Sequence, residues 1–98
     1  METLVRLEVS KRKHKKYKAL VRTGDGRTRV VHFGDSRYQQ YRDRTPLRAF
    51  AHLDHRDRAR MRRYYQRHSG VSTRKAGIAK EKRGGRLTAR LLSHLWLW

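Results

Sequence analysis

Three histidines and two aspartates, His52, Asp54, His55, Asp57 and His68, lie close together in the middle of this chain and raise the question of metal or acid–base chemistry. Imidazole and carboxylate are the ligands of many zinc and iron sites, provided the backbone brings three of them to one point. The spacing argues against it. His52 and His55 share a face only on one continuous helix, and Asp54 between them is a residue type that caps a helix and so breaks it there. A nuclease could use the same groups with a divalent ion, but they follow no catalytic spacing. The chain carries no phosphate-loop glycine pattern, nucleophile elbow or redox motif. It has no cysteine, which excludes disulfides and thiolate metal sites. These residues predict no enzyme, cofactor, metal site or small-molecule substrate, and leave the aspartates as helix caps and partners for arginine.

Arginine carries the stronger signal. Arg56, Arg60, Arg63 and Arg67 recur at intervals of four, three and four, which puts their guanidiniums on one stripe of a helix. The planar fork of arginine donates two parallel hydrogen bonds and suits a phosphate. Two further basic clusters flank the stripe: Lys11, Arg12, Lys13, Lys15, Lys16 and Lys18 before it, and Arg74, Lys75, Lys80, Lys82 and Arg83 after it. With 27 Lys and Arg against 8 Asp and Glu, the formal charge is +19 and the chain repels itself unless an anion neutralises it. Nucleic acid is the expected partner, DNA ahead of RNA, because each phosphate neutralised releases counterions. No zinc-finger or ribonucleoprotein-sheet signature is present, so nothing supports base-specific readout.

The elements that must position these residues follow from pattern. Ninety-eight residues suit one small domain with a thin core. Residues 4–9 alternate as a strand with Val5, Leu7 and Val9 on its apolar side. Residues 17–23 and 27–33, separated by Gly24-Asp25-Gly26, predict a β-hairpin. Thr45-Pro46 reads as the start of a short helix turning Leu47, Phe50, Ala51 and Leu53 inward. Asp54 reads as the cap of a second, with Asp57 supporting its first turn and Met61, Tyr64, Tyr65 and His68 beside the arginine stripe. Residues 69–86, broken by glycines and rich in Lys and Arg, read as a flexible basic arm. Leu87, Leu91 and Leu95 mark a C-terminal helix in residues 87–98, ending in Trp96 and Trp98. The predicted fold is α+β: a hairpin or three-stranded antiparallel sheet followed by two short helices, the arm and the final helix, with residues 1–68 as the core domain. No signal peptide or membrane span is visible, which points to a protein that is not secreted and does not engage a membrane.

The central stretch also carries a resemblance. Tyr38-x-x-Tyr41-x-Asp43-x-Thr45-Pro46-Leu47, then Leu53-Asp54-His55-x-Asp57, then Arg60, Tyr64, Arg67 and His68, resembles a small, largely uncharacterised family encoded by nucleocytoplasmic large DNA viruses of algae and protists. Lys16-Tyr17-Lys18-Ala19, Phe33-Gly34 and the ending Ser93-His94-Leu95-Trp96-Leu97-Trp98 extend it, while residues 1–10 and 74–86 have no clear counterpart. The resemblance implies a viral protein, packaged in the virion or present in the host nucleus or cytoplasm, and implies no activity.

Two readings stay open on the sequence. One is a non-enzymatic, sequence-independent nucleic-acid-binding protein, with a ribosomal-type RNA-binding protein as a variant. The other is a minor capsid or other assembly protein whose arm and Leu95, Trp96 and Trp98 bind neighbouring proteins. The same aromatic ending could equally dock on the chain's own core.

Overall fold

The computed structural model describes residues 2–98 and has the predicted α+β class. Strands β1 (Thr3–Val9), β2 (Lys15–Arg22) and β3 (Thr28–Asp35) form an antiparallel sheet in the order β1-β2-β3. Helices α1 (Arg58–Ser69), α2 (Arg74–Lys82) and α3 (Ala89–Trp96) follow. The hairpin lies as its glycines predict: Arg22 pairs with Thr28 in register, and Thr23 and Arg27 close the turn through a 2.8 Å backbone hydrogen bond.

The inner face of the sheet makes the core. Tyr17, Ala19 and Val21 of β2 are fully buried with Phe33 of β3, and Leu92 and Leu97 cover them from the C-terminal helix. The facing of β1 differs from simple alternation. A β-bulge between Leu4 and Arg6 leaves Val5 unpaired, so Leu4 turns inward alongside Leu7 and Val5 stands in solvent. One extra residue moves each side chain before it to the other face, which strict period-two reading cannot anticipate.

The predicted helix from Thr45 does not form. Residues 45–50 are an irregular loop followed by one turn of 3-10 helix, Ala51–Leu53. The cause is competition from a side chain. The buried carboxylate of Asp43 accepts from the Thr45 amide (3.0 Å), the Thr45 hydroxyl (2.6 Å), the Phe50 amide (3.1 Å) and the Tyr17 hydroxyl. Arg48, at φ +48°, adopts a left-handed conformation that an α-helix does not accept. The second helix begins later than predicted, because Asp57 caps it by accepting from the Ala59 and Arg60 amides. Asp54 does not cap it; its carboxylate accepts from the Gln40 side chain at 2.6 Å and the Asp43 amide at 2.7 Å.

Residues 69–86, expected as a flexible arm, contain α2, capped by Thr73 and packed against α1 and α3. Gly77 makes this packing possible: a Cβ there would lie 2.4 Å from the Tyr65 ring. Gly34, at φ +77°, serves the C-terminus in the same way, since Leu97 fills the place its side chain would take. The final helix runs into an extended contact with the loop before residue 45. The amides of Arg42 and Arg44 donate to the carbonyls of Leu97 and Trp96, satisfying acceptors that a helix end leaves free.

Candidate functional site

Helix α1 turns one face toward β3 and the C-terminal helix, and a cleft of about 670 Å³ opens between them. Arg60, Arg63 and Arg67 line it from α1, Lys15 from the start of β2 and Arg90 from α3. Three of the four arginines predicted as a stripe therefore share one concave surface. Arg56 does not join them, because it precedes the helix and sits in a left-handed turn at φ +53°.

Few of these cations are neutralised. Arg60 donates to the side chain of Gln39 at 2.8 Å, and Arg90 approaches Glu81 only at 3.9 Å. Arg63 and Arg67 are exposed and form no ion pair among the described residues. Among the described residues the one side-chain carboxylate on the cleft wall, Asp35, is held by Arg37, whose hydrogen bonds keep it well below the usual carboxylate range. His68, also on the wall, is pushed below its ordinary value by burial and then by the charges of Arg90 and Arg67.

The floor is aromatic. Tyr64 and Trp98 stack nearly parallel, with centroids 4.3 Å apart and planes 5° from each other, and His68 leans on Tyr64 at 4.6 Å. Trp98 is thus partly packed in the protein's own structure, as is Trp96, while Leu95 offers its carbonyl to Arg74 at 3.1 Å. The aromatic ending docks on this chain.

Other predicted residues are placed elsewhere. Lys16 does not face solvent: it is buried, and its ammonium donates to the Tyr38 carbonyl at 2.9 Å and the Gln40 side chain. Burial draws its pKa down to about 8, although Asp35, Asp43 and Asp54 pull the other way. Lys11, Arg12 and Lys13 are exposed in the β1–β2 turn, and Lys18 pairs with Glu8 at 3.5 Å. Arg74 and Lys80 serve packing, Lys80 by donating to the Ser69 carbonyl at 2.6 Å, whereas Lys75, Lys82 and Arg83 are exposed on α2 and just beyond it. The cleft also contains Arg90, Tyr38 and Gln39, which lie outside the basic clusters and the arginine stripe that the sequence marks. Arg90 was legible as the polar side of α3, three residues before Ser93 and opposite the leucines; Tyr38 and Gln39 lie in a turn with no periodicity to read.

The histidines and aspartates of the middle segment disperse. Asp54 and Asp57 bind backbone and side-chain donors as described, His55 accepts from the Asp57 amide at 2.9 Å, and His52 stacks on Phe50. Among the described residues no three such side chains gather to hold a metal ion. Nor is any helix among them long and apolar enough to cross a membrane.

Residues 5–46 are similar to a family of unknown function, DUF5754. That match begins inside β1, covers β2 and β3, includes Lys15, Tyr38 and Gln39 of the cleft, and ends at residue 46, within the Asp43 loop and before α1. No curated protein and no solved structure matches the chain.

Proposed function

We propose that the chain is a non-enzymatic nucleic-acid-binding protein that holds phosphates without reading base sequence. The observation that carries this is the cleft in which Arg63 and Arg67 stand exposed and unpaired, joined by Lys15, Arg60 and Arg90. A folded chain of formal charge +19 gains most from a partner that supplies many negative charges in a row. The exposed lysines and arginine of the β1–β2 turn extend the positive surface beyond the cleft. The alternative, a free C-terminal anchor into an assembly, has less support, since Leu97 is buried in the core and Trp98 stacks on Tyr64.

Titrating labelled nucleic acid at several salt concentrations tests the reading. Binding should weaken steeply with salt, each phosphate contact contributing about 0.7 to 0.9 to the slope of log affinity against log salt. Replacing Arg63 and Arg67 together by glutamine should lower that slope by roughly 1.5. Affinity that is undetectable at low salt, or indifferent to the double substitution, would remove the cleft from the mechanism. The sequence resemblance adds a setting to the proposal, a viral and particle-associated protein, which probing purified particles with an antibody to the chain would check.

A further inference from the structure

Resting on that reading, we infer that the strand this cleft accepts is single-stranded nucleic acid, with Tyr38 as the platform on which a base stacks. Among the described residues Tyr38, at 63%, is the most exposed of the large apolar side chains left in solvent. It stands at the cleft and is firmly mounted. Its carbonyl receives the buried Lys16 ammonium at 2.9 Å, its amide donates to the Asp35 carbonyl at 3.2 Å, and the neighbouring Gln39 is tied to α1 by Arg60.

The surroundings of the ring fit a base. The guanidinium carbon of Arg37 lies 5.6 Å from the ring centre, and Arg37 is itself fixed by two hydrogen bonds to Asp35. That arrangement covers the ring with a planar cation and leaves most of it in water. Tyr64 and Trp98, by contrast, already occupy one another's faces and form the floor rather than a free platform. A cationic groove tracking the backbone together with an exposed aromatic is the combination that holds unpaired strands, because every base has a π-face to stack.

A duplex fits poorly. Its base faces are covered by their own neighbours and offer Tyr38 nothing to stack on. An unpaired strand can lay phosphates along Arg63 and Arg67 and turn a base onto Tyr38.

The test compares a labelled oligothymidylate with a labelled hairpin duplex of similar charge, at equal salt, against the full chain and its Tyr38→Ala and Tyr38→Phe variants. The single strand should bind about tenfold more tightly than the duplex. Tyr38→Ala should cost the single strand about tenfold while leaving the duplex and both salt slopes unchanged, and Tyr38→Phe should retain the affinity of the parent. Circular dichroism of each variant checks that an exposed substitution has left the fold intact. Equal affinity for the two probes, or indifference of the single strand to Tyr38→Ala, overturns the inference and leaves the phosphate-binding cleft standing. No binding of either probe overturns both.

Discussion

Two groups of charged side chains within this one basic chain are treated in opposite ways by the fold. Beneath the sheet, Asp43, Asp54 and Lys16 are drawn inward and given hydrogen-bond partners: Tyr17, Thr45 and Phe50 on Asp43, Gln40 on both Asp54 and Lys16. Along the cleft, Arg63 and Arg67 lie in solvent with no partner among the described residues. A buried charge without partners is costly, so the first group must be saturated for the chain to fold. An exposed charge costs little, so the second is free to be used for something else. The difference separates scaffold from function within one basic protein, where composition alone makes all charges look alike.

The sharpest way to break that division is to remove Asp43. Its carboxylate organises the loop from Thr45 to Phe50, and burial, which would raise its pKa, is outweighed by hydrogen bonds from Thr45 and Tyr17 that lower it. Asp43→Ala would leave those donors buried and unpaired, and should destabilise the fold by about 3 to 5 kcal/mol in a urea titration. A loss below about 1 kcal/mol would mean that the loop relaxes to water and is not a keystone.

Next in size is the junction of the helices. Gly77→Ala places a methyl against the Tyr65 ring, whose hydroxyl in turn donates to the His94 carbonyl. The expected cost is about 2 to 3 kcal/mol, because a close-packed helix contact has to open. An unchanged unfolding midpoint would show that α2 is loosely attached, as an arm would be.

Acid should act on the same region. His94 is fully buried, with Tyr64 on Nδ1 and Ser69 on Nε2, both at 2.8 Å. Burial brings its pKa down to about 4; Glu81 pulls it back up, and His68, Arg90 and Arg74 push it further down. Because the folded value lies below the unfolded one, the unfolded chain binds the extra proton first. Stability is therefore complete above about pH 6.5 and declines as pH falls toward 4, by about 3 kcal/mol from this group. His94→Gln should flatten that part of the profile, and an unaltered slope would assign the acid sensitivity to other groups.

The sequence carried the hairpin, the C-terminal helix and most of the arginine row, because each follows from local pattern: glycines at a turn, leucines at helical spacing, arginines at intervals of three and four. What escaped depended on contacts distant in the chain. Thr45-Pro46 has every local mark of a helix start, and the Thr45 hydroxyl does accept from the Arg48 amide at 3.1 Å, yet Tyr17, 28 residues earlier in the chain, bonds the Thr45 hydroxyl and the Ala49 amide and holds the segment as a loop. Lys16 looks like one more exposed lysine in a basic run until Gln40, 24 residues on, receives it. The helix at Arg74–Lys82 has modest intrinsic preference, and its glycine, which weakens it locally, is what lets it pack. Tyr38 belongs to the motif that carries the resemblance, but no spacing rule distinguishes an exposed tyrosine from a core one.

The smallest expected stability effect bears most directly on function. Replacing Arg63 and Arg67 by glutamine should move the unfolding midpoint within the range of ordinary surface changes, about 0.5 kcal/mol either way, or even stabilise the chain by easing self-repulsion. The same double variant should lose nucleic-acid affinity by several-fold at low salt. It is the opposite of the Asp43 result: there the fold fails, here the fold stands and binding weakens. If the arginine variant instead unfolded, its guanidiniums would be holding α1 to the rest of the molecule. The cleft would then be a by-product of packing, and the separation between saturated interior charges and free surface ones would collapse.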